Sequence, residues 1–85
     1  AYNIIIERKW KVEVGTAVRV ARNIEDITQQ ELAKQLKISG TYLCDIEKNR
    51  NLPAYPLAWK IQQRFPKEKL IQAYQETYRN TLSKL

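Results

Sequence analysis

The chain has 85 residues and a formal net charge of +6, with 15 lysines and arginines against 9 aspartates and glutamates. It contains no histidine, one cysteine and two glycines. This composition excludes a histidine-based catalytic dyad, a His- or Cys-clustered zinc site, an internal disulfide and a glycine-rich phosphate loop. The carboxylates alternate with basic residues at helical spacing, which is typical of surface pairs. We therefore expect a single domain that is not an enzyme and uses no metal and no cofactor.

Residues 1–13 form a first region, which we interpret as an N-terminal arm. Ile4, Ile5 and Ile6 are consecutive and β-branched, and such residues favour an extended strand. A single strand is not stable alone. It must lie against the helices, pair with the same strand of a second subunit, or add to the sheet of a partner. In the alternative arrangement, residues 7–13 extend the first helix backwards.

The first predicted helix follows the arm. Val14, Val18 and Ala21 recur at three- and four-residue spacing, and Ile24 or Ile27 continues the pattern. Such spacing indicates an amphipathic helix with one apolar face.

The second predicted helix begins at Thr28. Thr28 is a good N-cap, and Glu31 three residues later completes the pattern of a capping box. The apolar positions of this short helix are Leu32, Ala33 and Leu36. A short helix with so narrow an apolar stripe needs neighbours to bury it.

The third predicted helix begins after a tight turn. Ser39 is its N-cap, Asn49 tolerates the left-handed conformation that ends helices, and Pro53 blocks continuation. Leu43 and Ile46 form its apolar stripe. The positions that face away from this stripe are Gly40, Thr41, Cys44, Asp45 and Lys48.

Two motifs carry a family resemblance. They are V-G-x-x-V-R-x-A-R-x-x-x-x-I-T-Q-Q-E-L-A, from residue 14, and I-S-x-x-Y-L-x-x-I-E-x-N-x-x-x-P, from residue 38. Together they resemble the phage repressor/Cro-like (XRE-type) helix-turn-helix family of DNA-binding proteins. The resemblance covers residues 14–65, with a fourth helix through Tyr55, Ala58, Ile61 and Phe65. It implies an all-α, five-helix repressor-like bundle that binds double-stranded DNA.

The resemblance also assigns roles to residues. Arg22 and Glu47 match a partly buried ion pair that ties the first helix to the recognition helix, residues 39–48. The positions that match base-reading residues in the major groove are Gly40, Thr41, Cys44 and Asp45. The positions that match phosphate contacts are Gln29, Ser39, Tyr42, Lys48, Asn49, Arg50 and Asn51. Phosphate contacts position such a protein, and base contacts specify the sequence.

Several residues depart from the family pattern. Lys37 and Asn49 stand where the family commonly has glycine. Gly40 cannot make a side-chain contact, although it lets the backbone come close. Asp45 can accept a hydrogen bond from a cytosine amino group, or it can be an ordinary solvent-facing helix residue. Thr41 can bond a base or touch a thymine methyl group.

Residues 66–85 form a third region. Pro66 is expected to end the fourth helix and to start a new helix at its first turn. The apolar positions of this amphipathic helix are Leu70, Ile71, Tyr74, Tyr78, Leu82 and Leu85. This face can pack wholly on its own core, or it can join two subunits. We expect a homodimer with Leu70, Tyr74, Tyr78 and Leu82 at the interface, whose recognition helices enter major grooves about 34 Å apart on a near-palindromic site.

Charge agrees with a nucleic-acid partner, since the sequence pI is about 9.6. Basic residues lie next to the motif, namely Lys34, Lys37, Lys48, Arg50 and Lys60. One cysteine suits a reducing cytoplasm, and no apolar run is long enough to span a membrane. We expect a cytoplasmic transcriptional repressor of a phage, plasmid or mobile element. The alternative is a protein–protein module on the same fold, an antirepressor or antitoxin working through its arm or last helix.

Overall fold

The computed structural model describes residues 13–83, and their side chains as far as residue 81. Over this range the chain forms five helices, which are α1 (Val14–Ile24), α2 (Gln29–Leu36), α3 (Gly40–Glu47), α4 (Tyr55–Arg64) and α5 (Leu70–Ser83). No strand occurs among the described residues. The predicted all-α, five-helix bundle is therefore confirmed. The predicted arm and the predicted contact of the Leu82 side chain lie outside the described part.

All five helices contribute to one core. Helix α1 packs on α3 and α5, α2 packs on α3 and α4, and α4 packs on α5. The largest completely buried side chains are Phe65, Leu32, Leu43, Ile46, Ile61, Val18 and Pro53. No helix in residues 13–83 is both long and apolar enough to cross a membrane.

Of the two residues that could continue the apolar face of α1, one packs on the core and the other does not. Val14, Val18 and Ala21 are buried, as expected, but Ile24 is 69% exposed. Ile24 is the last residue of α1, and the next apolar residue of the pattern, Ile27, packs against the core instead. The turn after α1 therefore redirects the chain before Ile24 can be covered.

The expected caps of α2 and α3 are present. Thr28 Oγ1 accepts a hydrogen bond from the backbone N–H of Glu31 at 3.0 Å, and Ser39 Oγ accepts one from Tyr42 at 3.0 Å. These bonds satisfy N–H groups that have no partner inside the helix. Helix α2 ends at Lys37, which is left-handed with φ 60°. Lys37 thus adopts a conformation in which glycine is unstrained and an L-residue pays a steric cost.

The prediction that Pro66 starts the last helix is wrong. Helix α4 ends at Arg64 as expected, but residues 65–69 form a turn and α5 begins only at Leu70. The side-chain amide of Gln62 organises this turn. Its Nε2 donates to the carbonyl oxygens of Phe65 and Glu68 at 3.1 and 2.6 Å, and its Oε1 accepts from Ile71 N–H at 2.9 Å. Gln62, and not the proline, supplies the cap of α5.

Candidate nucleic-acid interface

Helices α2 and α3 are joined by a three-residue turn, residues 37–39. Lys37 supplies the left-handed step, and Ile38 N–H donates to the Ala33 carbonyl at 3.0 Å. Ile38 is partly buried against the core, so the turn is anchored by an apolar contact. This arrangement holds α3 across α2 and leaves one side of α3 facing outward.

The outward side of α3 forms a shallow surface with the start of α2. It is lined by Gln29, Gln30, Gly40, Thr41, Cys44, Asp45 and Arg50, and we call it the α3 outer face. All four predicted base-reading residues lie on it, together with two predicted phosphate contacts, Gln29 and Arg50. Gln30 was not predicted, although its place in the first turn of α2, beside Gln29, could have indicated it.

Space is open above the start of α3. A Cβ atom built on Gly40 meets no atom within 4 Å. Thr41 is exposed, whereas Cys44 and Asp45 are half-buried at the base of the surface. An incoming molecule therefore reaches the backbone of Gly40 and the side chain of Thr41 first.

The charges on the α3 outer face are paired with each other. Arg50 Nη1 lies 3.6 Å from Asp45 Oδ1, and Arg50 N–H donates to the Asp45 carbonyl oxygen at 2.9 Å. Both side chains reach solvent, so the pair is screened and weak. Of the five basic residues that the sequence places beside the motif, only Arg50 lines this surface. Lys37 and Lys60 line a separate groove next to Arg64.

The predicted ion pair between Arg22 and Glu47 is present and is bidentate. Arg22 Nε lies 2.9 Å from Glu47 Oε2, and Arg22 Nη2 lies 3.0 Å from Glu47 Oε1. Arg22 Nη1 also donates to the Ile27 carbonyl at 2.9 Å. The hydrogen bond to Glu47 raises the pKa of the Arg22 guanidinium. The Glu47 side chain is only 2% exposed, and this bidentate partner is what allows its burial.

Gln29 belongs to the same cluster. Its Nε2 donates to Glu47 Oε1 at 3.2 Å, a contact that the sequence analysis missed. The predicted phosphate contact of the Gln29 side chain therefore competes with a bond already made inside the protein. The backbone N–H groups of Gln29 and Gln30 stay at the exposed N-terminus of α2. The cluster thus joins α1, the start of α2 and the end of α3.

The amide of Asn49 binds helix α1, so its predicted contact with phosphate competes with bonds inside the protein and stays a prediction. Asn49 Oδ1 accepts from Gly15 N–H at 3.0 Å, and Asn49 Nδ2 donates to Thr16 Oγ1 at 3.0 Å. Val14 N–H is capped from α5, by Thr77 Oγ1 at 3.1 Å. The preceding Glu13 makes no side-chain cap. Distant side chains therefore satisfy the first N–H groups of α1.

The other predicted phosphate contacts divide into two groups. The hydroxyl of Ser39 caps α3, and Tyr42 is half-buried against the core. Neither residue lines the α3 outer face. Lys48 and Asn51 are exposed near the end of α3, so their contact with phosphate stays a prediction.

Two of the predicted dimer contacts are wrong. Leu70 and Tyr74 are 2% and 7% exposed and pack in the core of their own chain. Burial raises the pKa of the Tyr74 hydroxyl above its ordinary value. Tyr78 is 47% exposed. The periodicity of α5 identified Leu70 and Tyr74 as apolar positions, but α5 packs on α1 and α4, and these two side chains are buried in their own chain.

Among the described residues, no group of three or more histidine, cysteine, aspartate or glutamate side chains could hold a metal ion. Comparison with protein-family models, with curated proteins and with solved structures finds no match for this chain.

Proposed function

We propose that this chain is a sequence-specific double-stranded DNA-binding regulator of the phage repressor/Cro-like type, which inserts α3 into the major groove. The observation that carries the proposal is the α3 outer face. Gly40, Thr41, Cys44 and Asp45 lie together on it, beside the N-terminus of α2. An α-helix fits the major groove, where each base pair presents a distinct set of donors and acceptors.

The residues of this face have suitable chemistry for DNA. The open space above Gly40 allows the backbone to approach a base edge or a phosphate closely. Thr41 offers a hydroxyl and a methyl group, and Asp45 accepts from a cytosine amino group once Arg50 turns to a phosphate. The N-terminus of α2 presents backbone N–H groups and the positive end of its dipole to a second phosphate.

Charge supplies affinity for any duplex. The formal net charge is +6, and cationic proteins gain free energy when counterions leave the DNA. The pairing of Asp45 with Arg50 leaves the α3 outer face close to neutral, so the basic residues around it carry the non-specific attraction. Discrimination between sequences then falls to Thr41 and Asp45.

We further propose that the protein works in the cytoplasm as a homodimeric repressor of a phage, plasmid or mobile element. A helix of eight residues is about 12 Å long and reads only a few base pairs. Two copies related by a two-fold axis would read a near-palindromic operator with half-sites about 34 Å apart. Occupancy of this operator would exclude polymerase.

The test is selection of bound duplexes from a random pool with the wild type, Thr41→Ala and Asp45→Ala. We expect a two-fold-symmetric motif that each substitution relaxes at defined positions. Gln63→Ala is the matched control, because Gln63 is exposed and lines the separate groove beside Lys37. Failure of the folded wild type to enrich any motif would refute the proposal.

A second candidate function is a protein–protein module, an antirepressor or antitoxin. It is favoured by exposed aromatic side chains on α4 and α5, namely Tyr55, Trp59 and Tyr78. The dependence of binding on salt separates the two functions. A DNA-binding protein loses affinity for non-specific duplex steeply as salt rises, whereas a module that works through its arm or last helix has only the weak duplex binding that net charge supplies and a correspondingly shallow dependence on salt.

A further inference from the structure

The outward side of α4 carries an aromatic surface. The exposed residues of this helix are Tyr55, Pro56, Trp59, Lys60 and Gln63, and their spacing places them on one side of the helix. We call these five residues the α4 outer face. Tyr55 and Trp59 are 54% and 42% exposed. Large apolar side chains that are exposed together, and not singly, mark an interaction surface.

The aromatic part of this surface continues onto α5. Trp59 meets Tyr55 edge-on, with ring centroids 6.3 Å apart. Tyr74 lies 6.1 Å from Tyr55 and stacks on Tyr78 at 6.2 Å. Tyr74 is buried, whereas Tyr78 is 47% exposed. Three rings are therefore half-exposed to water, and each has an aromatic neighbour that helps to hold it in place.

A groove lies on each side of the α4 outer face. The groove between α4 and α5 is lined by one cation, Arg79, and the groove between α4 and the end of α2 is lined by Lys37, Lys60 and Arg64. Arg64 is paired with Glu25 at 2.9 Å. Arg79, Lys37 and Lys60 form no ion pair with another residue in the range 13–81. Among the described residues, no acidic side chain lines either groove.

The arrangement of rings and charges selects the chemistry of the occupant. A ligand that covers the rings and also satisfies the cations beside them needs an apolar side and carboxylates at its edges. An acidic amphipathic segment of a protein has this composition, and such segments commonly bind in grooves between helices. Complementary charge fixes the orientation of the bound segment and excludes basic competitors.

The exposed area fits a short segment better than a second copy of the chain. Half of three aromatic side chains amounts to roughly 300 Å², whereas a stable interface buries about 800 Å² on each partner. A two-fold contact also brings the same residues together, so a second copy would place cations beside cations. The homodimer proposed above would then meet through a different surface.

The angles between the rings disfavour a single strand of nucleic acid as the occupant. Such a strand stacks its successive bases on aromatic side chains. The ring planes of Tyr55 and Trp59 are inclined by 84°, and those of Tyr55 and Tyr74 by 52°. Consecutive bases cannot stack in parallel on rings at such angles. Side chains of a peptide need no common plane and can contact both faces and edges.

We propose that the α4 outer face, together with Tyr78 and Arg79 of α5, binds an acidic amphipathic segment of another protein. The apolar side chains of the segment cover the exposed rings, and its carboxylates pair with Arg79 on one side and with Lys60 on the other. The inference goes beyond the proposed DNA binding and does not rest on it, because this surface shares no residue with the α3 outer face.

The test is selection of peptides from a displayed random library on the immobilised 85-residue chain. We expect the selected pool to be enriched in aspartate, glutamate and large apolar residues. The affinity of selected peptides is then measured for the wild type, Trp59→Ser and Arg79→Glu. Ile24→Ser and Arg19→Glu are the matched controls, because both residues are exposed on α1 and the substitutions remove an apolar side chain and reverse a charge there.

Selected peptides should bind Trp59→Ser roughly thirtyfold more weakly than the wild type, as at aromatic hot spots. Arg79→Glu should weaken binding about tenfold, because repulsion replaces an attraction between exposed charges. Both controls should match the wild type. Circular dichroism verifies that each variant keeps its helices, and Arg79 is exposed, so its variant retains the test if Trp59→Ser unfolds. Wild-type affinity in the folded variants would overturn the proposal, and so would a pool without acidic enrichment or no enrichment of any peptide.

NMR distinguishes the other occupants. The amide signals of residues 55–60 and 75–79 in the ¹⁵N-labelled chain are followed during addition of a selected peptide, during addition of oligothymidine, and during dilution of the chain alone. We expect these signals to shift with the peptide only. Saturable shifts with oligothymidine would overturn the proposal in favour of a nucleic-acid strand, and shifts on dilution would overturn it in favour of a second copy.

Discussion

The side-chain oxygen of Asn49 accepts a hydrogen bond from the backbone N–H of Gly15, a residue 34 positions earlier, at 3.0 Å. Asn49 also lies just after α3, where its backbone is in the left-handed conformation with φ 61°. Asn49 therefore ends α3 and caps α1 at once. One side chain thus fixes where the first helix stands relative to the proposed recognition helix.

We expect Asn49→Gly to lower the free energy of unfolding by about 1 kcal/mol, the usual cost of losing an N-cap, since glycine still adopts the positive φ. Asn49→Ala should lose about 1 kcal/mol more, because alanine is strained there. Urea denaturation measures both values. Thr16→Val, which removes only the bond to Asn49 Nδ2, is the control with a smaller loss. Equal unfolding midpoints for Asn49→Gly and the wild type would show that the cap does not stabilise the fold.

Replacement by alanine should have different effects on stability at the two glycines. A Cβ on Gly15 would overlap the Ile46 carbonyl oxygen and lie 2.5 Å from Asn49 Oδ1, so α1 and α3 must move apart. We expect Gly15→Ala to destabilise the protein by about 3 kcal/mol, the upper end of overpacking costs. Gly40→Ala meets open space and should leave stability unchanged or slightly raised. Thermal unfolding followed by circular dichroism compares them, and a stable Gly15→Ala variant would contradict the close approach of the helices.

Removal of one partner of the Arg22–Glu47 pair should be costly. Glu47→Ala leaves the Arg22 guanidinium without its carboxylate in a largely buried site, and we expect a loss of roughly 3 kcal/mol or more. The double variant Arg22→Met/Glu47→Ala should lose less than the two single losses added together, because no charge is left unpaired. Chemical denaturation of the four proteins gives the coupling energy. Strict additivity would mean that the pair does not act as a unit.

Substitution of Asp45 should change DNA binding in two ways, if the proposed function holds. Asp45→Asn frees Arg50 from its ion pair and removes a negative charge. Affinity for non-specific duplex should rise, and the slope of log K against log salt should steepen by about 0.9 for one added phosphate contact. Asp26→Asn, which raises the net charge by the same amount in the exposed turn after α1, is the control for net charge alone. A salt slope unaffected by Asp45→Asn would place Arg50 away from the phosphates.

Tyr74 should make the fold sensitive to alkali. Burial, together with the neighbouring tyrosines Tyr78 and Tyr55, raises its pKa above the ordinary value near 10. The unfolded chain therefore loses this proton before the folded chain does. The Tyr74 hydroxyl therefore contributes to the free energy of unfolding in full below about pH 10, and this contribution declines as the pH rises from there towards the folded pKa. Tyr74→Phe should flatten this decline in urea midpoints measured from pH 8 upwards, whereas Tyr78→Phe should reduce it less, because burial is the larger cause of the raised Tyr74 pKa.

Local signals in the sequence were sufficient for the helices that form the α3 outer face. Thr28 and Ser39 cap helices through bonds to residues three positions ahead, and such contacts follow from spacing alone. The outward side of α3 is likewise fixed by the positions of Leu43 and Ile46, which leave Gly40 and its neighbours outside. These predictions need only the geometry of one helix and one turn.

Contacts between distant segments could not be predicted in this way. Asn49 and Thr77 accept hydrogen bonds from the first N–H groups of α1, from 34 and 63 residues away. No local sequence pattern predicts either bond. Tyr74 shows the same limit, since periodicity identifies an apolar face but not what covers it. At the turn before α5, the amide of Gln62 bonds to three backbone groups. The helix therefore begins at Leu70, although proline favours the first turn of a helix and Pro66 comes four residues earlier.

The bond between Val14 and Thr77 joins the first and last helices of the described chain. During synthesis on the ribosome, α1 leaves the exit tunnel long before residue 77 does. The N–H group of Val14 therefore has no Thr77 hydroxyl to bind when α1 first forms. The pair of helices α2 and α3 has no such dependence, because both of their caps arrive with them. The nascent chain can therefore assemble its proposed DNA-reading unit while the start of α1 is still open, and the arrival of α5 closes the domain.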